Sequence, residues 1–149
     1  MFIPKEEYEK ILKKIPISCI DLIIVNPKKE FLIIKRKNNP AKNKWWIPGG
    51  RILKNEIFKD AALRISKKET GLNCNFIKIM GVVETRFKES AFNNKNGTHT
   101  INIIALMESS DKDVKLDEQS LEYKWIGKIK ELEDSYPEAK PFLIKAGFN

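Results

Sequence analysis

A single histidine, His99, and two cysteines, Cys19 and Cys74, leave little material for a zinc site or a disulfide framework in these 149 residues. The cysteines lack metal-ligand spacing and read as isolated, reduced, buried thiols. A lone histidine at a strand start is more often structural than catalytic. No run approaches the roughly 18 consecutive apolar residues of a membrane span. Pro4-Lys5-Glu6-Glu7 is too polar for the apolar region of a signal peptide. These absences predict a cytoplasmic protein without membrane contact. Internal repeats and low-complexity tracts are also missing.

The chain carries 42% hydrophobic and 32% charged residues, ordinary values for one folded domain spanning 1–149. Its net charge is +8. A basic balance suits nucleic acid or phosphate-bearing small molecules. The lysines are scattered rather than gathered in a patch, so no nucleic-acid partner is expected.

Residues 4–15 place Tyr8, Ile11, Leu12 and Ile15 at helical spacing behind Pro4, predicting an amphipathic helix. An apolar β-rich run, 17–25, and a second, 31–36, flank the turn Asn26-Pro27-Lys28-Lys29, predicting a hairpin. Long strands are expected over 75–87 and 99–107, joined by a polar loop with Asn93-Asn94 and Asn96-Gly97 as turn signals. A loop over 116–120 precedes a short strand, 123–126, and is a natural place for an active-site flap. Residues 129–146 read as helical pieces broken at Pro137 and Pro141.

The most informative stretch is 45–72. Trp45-Trp46 reads as core aromatics, with base stacking as the alternative. The diglycine Gly49-Gly50 lets the backbone approach a ligand and can turn a carbonyl toward a metal. Glu56 is placed at a helix opening, favourable for an acid. At about 100° per residue, Phe58, Ala61, Ala62 and Ile65 share one apolar stripe. Glu69 lies on that stripe too, where a carboxylate is costly unless it is paired or binds a cation. Gly71 reads as the residue just past the helix C-terminus, where φ > 0 suits glycine.

Gly50, Glu56, Arg64, Glu69, Gly71 and Leu72 carry the spacing of the Nudix box, and the chain resembles the Nudix hydrolase family. Two box acids are replaced, by Ile65 and Lys68. A box with all three acids would group three carboxylates on one helical arc; one carboxylate beside a lysine points to a single Mg²⁺, or Mn²⁺ in its place. This departure resembles the GDP-mannose mannosyl hydrolase branch. So do Lys35-Arg36, Asn38-Asn39-Pro40-Ala41, Trp45-Trp46-Ile47-Pro48, Arg51 and Asp117-Glu118-Gln119. The resemblance covers residues 1–126.

That resemblance implies an α+β fold, a Nudix-type α/β/α sandwich with a mixed central sheet. It implies metal ligation by Gly50, Glu69 and Gln119, and a nucleotide-sugar substrate held by Asp21, Arg36 and Arg51, with Asp21 accepting from a sugar hydroxyl. Arg36, Arg51 and Glu69 are the expected catalytic groups; the guanidinium fork of Arg36 suits paired phosphate oxygens. The reaction implied is Mg²⁺-dependent hydrolysis of GDP-mannose at the anomeric carbon, giving GDP and mannose. A homodimer with the N-terminal element at its interface is implied as well. By residue chemistry Asp21 is solvent-facing, and Arg51 is a surface residue pairing with Glu56. Glu56 and Arg64 are expected to pair and orient the loop before the helix. The branch has a His as general base where this chain has Ser120, too weakly basic to take a proton from water; Glu118, Glu122 and His99 are the replacements on offer. Attack at phosphorus, as in most of the family, and a nucleotide-sugar binding module without turnover are the alternative functions.

Overall fold

The computed structural model describes residues 2–92, 95–132 and 135–149. The expected Asn93-Asn94 turn lies outside them. The elements are helix α1 (Lys5–Leu12), strands β1 (Ile17–Val25), β2 (Phe31–Arg36), β3 (Trp45–Trp46) and β4 (Gly49–Arg51), helix α2 (Phe58–Thr70), strands β5 (Asn75–Phe87), β6 (Thr98–Glu108) and β7 (Ser120–Ile126), and helix α3 (Lys140–Lys145).

All seven strands join one mixed sheet, with the order β3-β2-β1-β6-β5. β1 runs parallel to β6 along its length, from Ile17 opposite Thr100 to Val25 opposite Glu108. The other pairings are antiparallel. β1 is almost continuously apolar because both of its faces are covered, as parallel pairing tends to require. Ile20, Leu22 and Ile24 pack with Ala61, Ala62, Ile65 and Leu72 under α2. Ile23 packs on the opposite face with Phe31, Ile33, Leu132, Tyr136, Leu143 and Phe148. Helices on both sides of the sheet make the expected α/β/α sandwich. Among the described residues no helix is long and apolar enough to cross a membrane.

Several boundaries differ from expectation. α1 stops at Leu12, three residues short, and Ile15 is exposed. β7 begins at Ser120, because its pairing with β2 continues through Lys35–Glu122 to Arg36–Ser120 across a register shift. The C-terminal residues do form the expected helical pieces, with Pro137 and Pro141 at the starts of a 3₁₀ turn and of α3; proline fits there because the first N–H groups have no helical partner.

β4 fixes the site. β1 pairs with β2 near its C-terminal end, and the diglycine strand lies alongside its middle: Asp21 opposite Gly49, Ile20 opposite Gly50, Cys19 opposite Arg51. The Leu22 N–H donates to Pro48 O at 2.7 Å, extending this register by one bond.

Candidate active site

α2 delivers Glu69 to the diglycine. The helix ends at Gly71, whose φ of 71° is the left-handed conformation expected of it. Two residues earlier, Glu69 Oε2 accepts from the Gly49 N–H at 3.1 Å. A Cβ built on Gly50 would lie 3.4 Å from Ile65 and 3.6 Å from Glu69 Oε1. Ile65 and Glu69 therefore converge on the same glycine. Burial pushes the Glu69 carboxyl up to about 8, with Asp117 and Asp21 adding to the rise and the Gly49 N–H and Arg36 opposing it. Arg64 interacts with it too, and Arg36 is the cation that opposes its rise. Burial lowers the pKa of this guanidinium, while Glu69 and Asp21 raise it. Its Nε donates to Pro40 O at 2.7 Å, which anchors the side chain from behind.

The apolar stripe holds for Ala61, Ala62 and Ile65, all buried, but Phe58 is 47% exposed. Glu56 does not open α2 either. Ile57 is the residue before the first helical turn, and Glu56 stands in the preceding loop, where its Oε2 accepts from the Leu53 N–H at 2.8 Å. Arg64 grips both Glu56 oxygens, at 2.5 and 2.8 Å, and reaches Arg51 O at 2.9 Å. Hydrogen bonds from Arg64 hold the Glu56 carboxyl down to about 2. This is the expected loop-orienting ion pair, with bidentate geometry. The alternative pairing of Glu56 with Arg51 is not formed. The Arg51 guanidinium instead lies over the Tyr8 ring, 4.8 Å from its centroid, so the N-terminal helix positions it.

Asp21 corrects one expectation. It is 4% exposed, not solvent-facing, and its carboxylate is already engaged within the protein. Asn102 Nδ2 donates to Oδ2 at 2.8 Å, and the Tyr136 hydroxyl donates to the same oxygen. Any Cβ on Gly49 would collide with Oδ1 and lie 2.9 Å from Ile20 O. Asp21 thus packs directly against the diglycine. Burial raises its pKa to about 6 against the pull of Tyr136, Asn102 and Arg36. Thr100 donates to Asn102 Oδ1 at 2.5 Å and shares a 2.5 Å hydrogen bond with Thr85, extending the buried polar chain across β6 to β5. Sequence reasoning missed this network and Tyr136; the polar positions 85, 100 and 102 within otherwise apolar strands were the available signal.

Trp46 belongs to the core, its ring stacked on Tyr136 at 3.9 Å and 10°. Trp45 is half-buried, with Lys124 Nζ 4.4 Å from its ring centroid.

The loop before β7 runs against the end of α2. Gln119 meets this region through its backbone: its N–H donates to Asp117 Oδ1 at 3.0 Å and its carbonyl accepts from Lys37 at 3.0 Å. That local turn sends the Gln119 side chain into solvent. The residue brought to Glu69 is Asp117, whose N–H donates to Glu69 O at 3.3 Å. The Asp117 Oδ2 atom is buried with no hydrogen-bond partner. None of the expected replacement bases takes that place. Glu118 is exposed, and Glu122 pairs with Lys35 at 3.7 Å. His99 sits near Glu84, five register positions before Ile104, the partner of Asp21, or roughly 16 Å along the strand.

Among the described residues no group of three or more His, Cys, Asp or Glu is placed to hold a metal by itself. The donors beside Glu69 are carboxylate and backbone oxygens, two acids against one guanidinium, with one buried acid oxygen unsatisfied. That set fits a hard divalent cation such as Mg²⁺ or Mn²⁺ that keeps several water ligands.

The chain is 28% identical over 122 residues to the low-salt glycan biosynthesis protein Agl8 of Haloferax volcanii, covering 82% of this chain and 78% of that protein. It is 40% identical over 67 residues to an ADP-ribose pyrophosphatase of Methanocaldococcus jannaschii, covering 45% of this chain and 39% of the relative. A MutT protein from Methanosarcina mazei superposes with a TM-score of 0.69 at 27% identity, over 89% of this chain and 94% of that one. A Caenorhabditis elegans Ap4A hydrolase shares the fold, with a TM-score of 0.67 at 19% identity over 87% and 94% of the two chains. The NUDIX domain model matches residues 17–145. With that match over most of its length, and with Glu69 bonded to the diglycine, the chain belongs to the NUDIX family.

Proposed function

We propose that this NUDIX protein is a hydrolase of nucleoside-diphosphate sugars, most plausibly GDP-mannose, with water attacking the anomeric carbon and GDP leaving. One observation carries the reading. Ile65 is buried and packs carbon against Gly50 where a second helix acid would stand, so α2 supplies Glu69 alone. The glycan-biosynthesis relative supports a sugar-nucleotide substrate. Glu69 and the Gly50 carbonyl would hold Mg²⁺ or Mn²⁺. A bound ion supplies charge neutralisation at the departing diphosphate.

In this reading Arg36 binds the diphosphate, being already desolvated and anchored at Pro40. Arg51, held against Tyr8, adds a second cation on the side of the N-terminal helix. Asp21 keeps the diglycine in place. In the displacement, the sugar carbon–oxygen bond breaks as the water oxygen bonds to carbon with inversion, and the water proton passes to a base. We further propose a cytoplasmic homodimer, with α1 at its interface.

Attack at phosphorus is the second reading, supported by the match to an ADP-ribose pyrophosphatase over 67 residues. Products separate the two. Incubation with GDP-mannose and Mg²⁺ in ¹⁸O-water should yield unlabelled GDP and labelled mannose. GMP with mannose 1-phosphate would establish phosphorus attack instead. Tight binding with no product from any GDP-, UDP- or ADP-sugar would indicate a binding module.

A further inference from the structure

We infer that Asp117 is a metal ligand, its carboxylate standing beside Glu69 in the position expected of the Gln119 amide. The inference rests on the cation site proposed above and assigns a residue to it.

The backbone fixes the placement. The segment 115–117 runs against the end of α2: Lys115 N–H donates to Thr70 O at 2.8 Å, and Asp117 N–H donates to Glu69 O at 3.3 Å. Gly71 makes the approach possible, since a Cβ there would lie 3.0 Å from that of Lys115. The glycine that ends the helix therefore also seats the loop carrying the second acid. Within the Asp117 side chain the two oxygens differ. Oδ1 accepts the Gln119 N–H at 3.0 Å, which fixes the carboxylate plane. Oδ2 is buried without a donor. A buried carboxylate oxygen is normally satisfied by a donor or a cation. The side chain is also near enough to Glu69 for the two charges to oppose each other, with Arg36 the cation opposing the rise at Glu69. A divalent ion between them would satisfy the open oxygen and relieve the repulsion together. Gln119, with its side chain in solvent, would act through its backbone, by orienting Asp117.

Titration of the full chain with Mn²⁺, with free ion measured by electron paramagnetic resonance, tests the assignment. The variants are Asp117→Asn, Gln119→Ala and Glu69→Gln, each checked for native circular dichroism. Wild type should bind one ion per chain. Asp117→Asn should weaken binding by about 10-fold or more, and Gln119→Ala should stay within about 2-fold, beyond the reach of a solvent-facing side chain. Asp117→Asn binding as tightly as wild type would overturn the inference, including the case where its turnover falls and Asp117 serves as the base. Glu69→Gln losing the ion while Asp117→Asn keeps it would remove this assignment and leave the site standing. Absence of binding by wild type would remove both. A measurement on unaltered protein covers a variant that fails to fold: bound Mn²⁺ should broaden the amide resonances of Gly49 and Asp117 more than those of His99.

Discussion

Glu69 stands where a sequence reader would place it, and its neighbours explain why the two missing box acids are not equivalent. Ile65 is 2% exposed and lies in the core under α2, touching the space above Gly50. Lys68 points to solvent and is no rival to Glu69 for a cation. Restoring the acids should therefore give unlike results. Ile65→Glu buries a new charge and should lower metal-free stability by about 3 kcal/mol or more. Lys68→Glu should change it by no more than about 0.5 kcal/mol. Urea unfolding in the presence of a chelator measures both, and equal effects would contradict the placement of Ile65. Asp21 makes a second residue-scale case. Its ordinary pKa of 3.8 rises to about 6 on folding. The native state therefore binds more protons between those values, and this carboxyl lowers stability as pH rises through that window. Above pH 6 the cost is about 3 kcal/mol, at 1.36 kcal/mol per pKa unit. Asp21→Asn keeps an acceptor for Tyr136 and Asn102 and removes the charge. Between pH 4 and pH 7 the stability of wild type should fall relative to this variant. Glu69, also raised, is present in both, but Asp21 adds to its rise, so the comparison is made in a Glu69→Gln background; parallel curves there would show that Asp21 does not titrate in this range.

At the scale of elements, the legible parts were those with local signatures. The αL glycine after α2, the β1–β2 hairpin and the Glu56–Arg64 pair all follow from short-range spacing. What escaped notice was assembled from distant segments. Arg51 meets Tyr8 across 43 positions of sequence, a contact that no periodicity encodes. The backbone of Asp117 meets that of Glu69 at the end of α2, 48 positions away in sequence, while Gln119 closes a local turn onto the Asp117 carboxylate, a contact between distant segments that no local spacing encodes. The Glu56–Arg64 pair can be tested apart from chemistry. It ties the loop at Leu53 and Arg51 O to α2, and it touches neither Gly49 nor Glu69 directly. Glu56→Gln should reduce turnover by roughly 10- to 100-fold, the usual loss when a supporting partner of a site is removed. Stability at pH 7 should fall by no more than about 1 kcal/mol, since the Arg64 side chain is 35% exposed and exposed ion pairs contribute little. An undiminished rate would show that the loop keeps its shape without the pair.

Across the whole molecule, the sandwich was predictable because each layer has its own pattern, yet the path by which its second face is covered was not. The C-terminal residues looked like fragments of helix. They wrap back so that Tyr136, at φ 48°, lies fully buried against Trp46. Phe148 packs edge-on against Phe31 at 4.7 Å, and Asn149 O accepts from the Ile129 N–H at 2.8 Å. The last residues thus close one side of the core while the active site lies on the other side, around the end of α2. Asp21 and Tyr136 join the two: the hydroxyl from the C-terminal side donates to the acid packed against the diglycine. Phe148→Ala and Tyr136→Phe should therefore separate stability from function. Phe148→Ala removes a buried ring far from Gly49 and should destabilise the fold by about 3 kcal/mol, leaving Mn²⁺ affinity of the folded protein unchanged. Tyr136→Phe removes one donor from a buried carboxylate, at a stability cost of about 1–3 kcal/mol. It should also move the titration of Asp21 to higher pH, because that hydroxyl is the largest influence holding it down. Chemical unfolding from pH 4 to pH 8 reads both quantities. If the Phe148 variant shifted the titration as much as the Tyr136 variant, the link from the C-terminal segment to the diglycine would run through packing and not through this hydrogen bond.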